Sequence, residues 1–211
     1  MIFDLDGTLA DTHEMAIGLI GETIERFGGP WLGPDELIAL FGPNEKGIFR
    51  GAVGVRWEEA WAHYLGEYPA RHRECPAPFP GIFDLVVSLQ SLGANLGVIT
   101  GKTARTGRIS LDVLGLSPYF SDLRGGAMEG IVKRTDIAAM VSSWGLGHDA
   151  VAYVGDTATD VVEAKAAGVV AIAACWSDYA DEVSLRAAEP DLIFVTVEEL
   201  ANWLETNVGG S

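Results

Sequence analysis

From residue 81 onward, short apolar runs alternate with stretches whose apolar residues recur at helical spacing, and this alternation limits the available folds more than any other feature. A helical pattern over 82–92 leads to a strand-like run at 95–100, a helix at 103–114 and a short strand at 119–123. The series continues with a helix at 133–144, a strand at 151–155, a helix at 159–167, strands at 169–174 and 191–195, and a closing helix at 197–205. Strands separated by helices need crossover connections, so the series predicts an α/β fold: a mostly parallel sheet covered on both faces, with right-handed crossovers. Ligands of such sheets bind outside the carboxyl ends of the strands. Chemistry is therefore to be sought where each apolar run stops.

The first run stops almost at once. Ile2, Phe3 and Leu5 suit a buried strand, in which alternate side chains share a face, so Asp4 and Asp6 are expected on the same side. Two carboxylates that close raise one another's pKa unless a cation or a shared proton compensates, which makes the pair either costly or functional. Gly7 permits a sharp turn and Thr8 adds a hydroxyl, although Asp-Gly is also an ordinary turn dipeptide.

The next residues interrupt the alternation. Asp11 and Glu14 have capping-box spacing before a helix carrying Met15, Leu19, Ile20, Ile24 and Phe27, which Gly28-Gly29-Pro30 ends. Pro34 opens a short helix reaching Leu40, 45–53 reads as a weaker helix and 57–68 as a better one. The densest proline cluster, between Cys75 and Gly81, marks a boundary. The expected organisation is a core of 1–11 and 79–211 with an all-α insert at 12–78. Gly209-Gly210-Ser211 reads as a flexible tail.

The net charge of -16 disfavours nucleic acid and anionic membranes as partners, while leaving room for a small anion beside a metal ion or lysines. Cys75 and Cys175 lack metal-ligand spacing and are expected as free thiols. There is no apolar run of membrane-spanning length, and the chain opens directly in a core strand, so a cytoplasmic location is expected.

Four run ends follow in a fixed order: Asp4-Leu5-Asp6-Gly7-Thr8, Thr100-Gly101-Lys102, Ile131-Val132-Lys133, and Gly155-Asp156 with Asp160 four residues on. In this combination the chain resembles the haloacid dehalogenase superfamily of phosphohydrolases, within it the phosphoglycolate-phosphatase-like branch, over nearly its whole length. The resemblance implies a Rossmann-like core with a C1-type helical cap inserted after the first strand. It implies that Asp4 attacks phosphorus to give a phosphoaspartyl intermediate, and that Asp6 protonates the leaving group and later activates water. Lys133 would neutralise the transferring phosphoryl group and hold Asp4, while Thr100 and Gly101 would offer a hydroxyl and backbone N–H groups to the phosphate. Hard oxygen donors favour magnesium. By resemblance the ion is held by Asp4, the backbone carbonyl of Asp6 and Asp156, with Asp160 one layer behind or an alternative ligand.

Some positions carry a second reading. Asp156 and Asp160 share their turn with Thr157 and Thr159 and suit helix N-capping as well. The family usually has proline just after this lysine, where this chain has Arg134, so Lys102 and Arg134 are fallback cations. Asn44, Glu45, Lys46 and Arg50 are candidates for reading a substrate's far end, or equally a solvated helix face. His13, His63, His72 and His148 favour surface or packing roles, and Trp57 and Trp61 favour packing within the helical block.

The expectation is a magnesium-dependent phosphatase acting on a small phosphorylated metabolite such as phosphoglycolate. Asp6 argues against a dehalogenase, since the resembling dehalogenases lack a carboxylate there and need no metal. A phosphosugar mutase on the same core is the second reading, and a non-catalytic binding protein the third. Chain length and a self-contained cap favour a monomer, with a dimer as the alternative.

Overall fold

The computed structural model describes residues 1–75 and 77–207. The chain enters the middle of a sheet and leaves it after two residues: β1 (Ile2–Phe3) pairs in parallel with Gly97 and Val98 on one side and with Tyr153 and Val154 on the other. Helices α1 (His13–Arg26), α2 (Pro34–Ile38), α3 (Glu45–Val53) and α4 (Trp57–His72) follow. The chain then returns to the sheet beside its starting point, the Phe79 N–H donating to the Leu9 carbonyl at 3.0 Å.

From there the alternation runs α5 (Ile82–Ser91), β2 (Gly97–Thr100), α6 (Ala104–Val113), β3 (Asp122–Gly125), α7 (Lys133–Trp144) and β4 (Ala152–Gly155). It closes with α8 (Ala158–Ala167), β5 (Val170–Ala174), α9 (Glu182–Ala187), β6 (Leu192–Phe194) and α10 (Val197–Asn207). All pairings are parallel and the order is β3-β2-β1-β4-β5-β6, a Rossmann-like sheet. Strand order reverses between β1 and β4, which opens a crevice at the carboxyl ends of those two strands.

Successive side chains of a strand point to opposite faces, and β1 supplies one residue to each apolar layer. Phe3 is buried with Leu85 of α5, Leu111 of α6 and Leu200 of α10. Ile2 is buried with Ile137 and Met140 of α7, Val161 of α8 and Leu185 of α9. Helices α1 to α4 gather round a third cluster of Ile20, Ile24, Phe49, Tyr64 and Tyr68, against which Ile109 of α6 packs. Trp57 and Trp61 lie against this cluster, in the packing role expected of them. Among the described residues, no helix is long and apolar enough to cross a membrane.

Three local expectations are corrected, and one helix was not expected. The first strand ends at Phe3, so Asp4 and Asp6 lie in the turn after it rather than within it. The Asp11–Glu14 capping box does not form, because α1 starts after Thr12, whose hydroxyl donates to Asp6 instead of capping the helix. The fourth helix continues past Tyr68 through Pro69 to His72, where the Tyr68 and His72 rings meet edge-on at 5.6 Å. Helix α9 falls in a stretch where only Leu185 is buried, too little for a periodic signal. Both cysteines are free thiols. The expected Gly209-Gly210-Ser211 tail lies outside the described residues.

Candidate active site

The turn after β1 brings the first two carboxylates to the crevice. Gly7 adopts φ +70°, and a Cβ there would collide with the Asp156 carboxylate and the His13 ring, so only glycine lets the two strand ends approach. Asp4 is fixed at both oxygens: its Oδ1 accepts from the Leu5 N–H at 2.7 Å and its Oδ2 from Lys133 Nζ at 2.7 Å. Asp6 forms an ion pair with Lys102 at 3.1 Å and accepts from the Thr12 hydroxyl.

The end of β4 contributes Asp156 and the start of α8. Thr157 caps α8 by accepting from the Asp160 N–H at 3.2 Å, while Asp160 Oδ2 accepts from the Thr157 N–H at 3.1 Å and its hydroxyl at 2.6 Å. The other Asp160 oxygen accepts from Lys133 Nζ at 2.5 Å and from the Tyr153 hydroxyl at 3.0 Å. Asp160 therefore caps the helix and holds Lys133 at once. Asp156 is less engaged, with Thr8 Oγ1 3.4 Å from its Oδ1.

Lys133 stands at the first position of α7. The Arg134 N–H donates to Glu163 Oε2 of α8 at 2.9 Å, so the donor that a proline at this position would lack is satisfied by a neighbouring helix. Thr100 ends β2 fully buried, and its hydroxyl accepts from the Lys102 N–H at 3.2 Å. Gly101, Lys102 and Lys133 line a cavity of about 260 Å³ together with Asp4, Asp6 and Asp156, whereas Thr100 is not among the lining residues. A larger cleft of about 500 Å³ between α5 and α10 lies away from all these groups.

Electrostatics separate the carboxylates. Burial pushes Asp4 up to about 7 although Lys133 pulls the other way. Burial, with Asp4 and Asp160 adding repulsion, pushes Asp156 well above the usual carboxylate range. Burial acts on Asp6 too, but Lys102, His13 and the Thr12 hydroxyl together hold it below its ordinary value. Both lysines stay charged: burial opposes it, and their carboxylate partners outweigh burial. Four carboxyl groups thus share two ammonium groups, and the raised Asp4 and Asp156 mark a site short of positive charge. Asp4, Asp156 and Asp160 can each present an oxygen with all three atoms within 4.8 Å of one another, the donor set and charge that a hard divalent cation needs.

The helical insert closes the other side. Asn44 donates from Nδ2 to the Gly126 carbonyl at 2.6 Å, and its own N–H donates to the Ala127 carbonyl at 2.8 Å. Glu45 accepts from the Thr103 N–H and the Thr106 hydroxyl, each at 2.6 Å. These two are seam contacts rather than a solvated face. Lys46 lies over the Trp61 ring and Arg50 pairs with Glu129, both outside the cavity lining. His13 was not expected here: it lines the cavity, stacks on Tyr179 at 4.8 Å, and its buried Nδ1 has no partner. Its proximity to Asp11 and Asp6 in sequence was the available signal.

Comparison with known proteins places this geometry in a family. The haloacid dehalogenase-like hydrolase model matches residues 1–174. The chain is 31% identical over 209 residues to "Probable phosphatase IndB" of Dickeya dadantii, covering 95% of this chain and 90% of that protein. It is 30% identical over 203 residues to a phosphoglycolate phosphatase of Synechococcus elongatus, covering 95% and 94%. A haloacid dehalogenase-like family hydrolase from Streptococcus pneumoniae shares the fold with a TM-score of 0.77 over 96% of both chains, at 25% identity. With the family model spanning most of its length and relatives of this similarity, the chain belongs to the haloacid dehalogenase-like hydrolase family.

Proposed function

We propose that this hydrolase removes the phosphoryl group from a small phosphate monoester and that its ion is magnesium. The observation that carries the reading is the meeting of Asp4, Asp6 and Asp156 with Lys102 and Lys133 in one cavity at the carboxyl ends of β1 and β4. Phosphatase and phosphoglycolate phosphatase among the relatives' names support it, and favour hydrolysis over the phosphosugar mutase alternative.

We assign Asp4 as nucleophile, held for attack by Lys133 and the Leu5 N–H. Its oxygen would bond to phosphorus as the ester oxygen leaves, and Asp6, a carboxylate in the free protein, would take up a proton as the substrate enters and pass it to that oxygen. Asp6, now a carboxylate held by Lys102, would take a proton from the water that attacks the acyl phosphate, freeing phosphate and restoring Asp4. Lys133 would balance charge on the transferring group and Gly101 would offer its backbone N–H to phosphoryl oxygens, while the Thr100 hydroxyl, behind the cavity wall, holds the Lys102 N–H of the same loop. Asp4, the Asp6 carbonyl and Asp156 would hold magnesium, with Asp160 one layer behind or an alternative ligand. When bound, the ion would neutralise developing charge on the phosphoryl oxygens. Residues 12–78 would act as the cap over a core of 1–11 and 79–211, excluding water from the reacting atoms. The third apolar cluster and the cavity at the seam support that division.

Phosphate release from a panel of small esters with magnesium, wild type beside Asp4→Asn, tests the reading. Release from one or two members that vanishes in the variant is expected. Wild-type release that survives in Asp4→Asn would refute the assignment of the nucleophile, and no release from any ester would refute the phosphatase.

A further inference from the structure

We infer that the cavity selects a monoester whose leaving group is uncharged and partly apolar, and disfavours a carboxylate tail such as that of phosphoglycolate. The inference rests on the phosphatase reading above and narrows its substrate class. The cavity has two chemically distinct ends. The core end holds the carboxylates and lysines already described. The insert end is made by Ile20 of α1, Phe41 and Pro43 between α2 and α3, and Ile48 of α3, with Ile131 of the core at the rim.

Ile20 and Ile48 are buried, but Phe41 and Ile131 remain 46% and 54% exposed. Large apolar side chains at the mouth of a cavity are surface that a ligand's tail can cover, each buried methyl or methylene group strengthening binding about fourfold. The nearby cations are engaged elsewhere. Lys133 is bound to Asp4 and Asp160, Lys102 to Asp6, and Arg50 reaches out to Glu129 at 3.7 Å. The insert brings two titratable side chains to the cavity: Glu45, a carboxylate fixed by Thr103 and Thr106, and His13, which burial disfavours as a cation. A carboxylate tail pointing toward the insert would exchange water for hydrocarbon and approach a like charge. An alkyl tail of the same shape gains from the same surroundings.

An isosteric pair of phosphonates separates the two cases without turnover, because their carbon–phosphorus bonds resist hydrolysis. Isobutylphosphonate and phosphonoacetate differ in having two methyl groups or two carboxylate oxygens on the same branch. Calorimetric titration of the full chain in magnesium is expected to show isobutylphosphonate binding at least about tenfold tighter, the effect of two buried methyl groups. In Phe41→Arg, a substitution at a half-exposed side chain, phosphonoacetate is expected to gain on isobutylphosphonate by about tenfold. Equal or tighter binding of phosphonoacetate by wild type would overturn this inference and leave the phosphatase reading standing. Failure of both phosphonates to bind, in a protein that still melts cooperatively, would overturn the phosphoryl site and the inference with it.

Discussion

Lys133 is the residue on which the charge balance of the site turns, because one ammonium group serves Asp4 at 2.7 Å and Asp160 at 2.5 Å. Replacing it by methionine leaves those carboxylates repelling one another in a buried space. Phosphate release by Lys133→Met is expected to fall by about 10²–10³-fold, the range found when a donor to developing charge is removed. Steady-state assays at saturating ester check this, and a loss below tenfold would mean that Lys102 carries the role. Gly7 gives a steric counterpart. A Gly7→Ala substitution puts a Cβ onto the Asp156 carboxylate at a backbone angle that alanine disfavours by about 1–2 kcal/mol. Both melting temperature and activity are expected to drop, whereas an unchanged melt would mean that the turn has room to relax.

Most helices that could be read in the sequence bury more than one apolar side chain, as Ile137, Met140 and Val141 in α7 and Ile48 and Phe49 in α3. Helix α7 occupies the expected 133–144 and α3 the expected 45–53, the latter because Asn44 caps it by accepting from the Gly47 N–H at 3.2 Å. The six-residue α9, which buries little, carried no such pattern. At the site, motif spacing indicated which carboxylates meet, but not how. Asp4 and Asp6 reach the cavity from the turn after β1 rather than by strand alternation, and for His13 the sequence offers only its nearness to Asp6 and Asp11. Glu45 was legible only as a polar residue of a helix start, because its partners Thr103 and Thr106 lie at the start of α6 and only the fold brings them near. Glu45→Ala strands two buried donors, so a loss of about 1–3 kcal/mol is expected in denaturant melts. Faster amide exchange at Thr103 and Thr106 would accompany it; unchanged protection there would show that α3 and α6 are held together by other contacts.

Over the whole molecule, the burial of acidic groups ties stability to pH. Asp4 titrates near 7 in the folded protein against about 3.8 when exposed, so between those values the folded state binds the extra proton. Stability of the metal-free protein is therefore expected to decline as pH rises from about 4 to about 7, by at most about 1.4 kcal/mol per unit from this group, and then to level off. Asp156, also raised, acts in the same direction. Asp6, held below its ordinary value, contributes stability that is lost only in more acidic solution. Thermal melts from pH 5 to 8 with a chelator check the slope, and magnesium is expected to flatten it; a slope indifferent to magnesium would show that the ion is not held by these carboxylates.

The seam between insert and core has a bearing on recombination. Asn44 and Glu45 belong to the helical block by sequence, yet their partners are Thr103, Thr106, Gly126 and Ala127 of the core. A chimera that transplants only residues 12–78 from a relative would separate the two partners of each of these contacts. On the division proposed above, the exchangeable unit is discontinuous: a graft of the helices needs the start of α6 and the loop after β3 to travel with it.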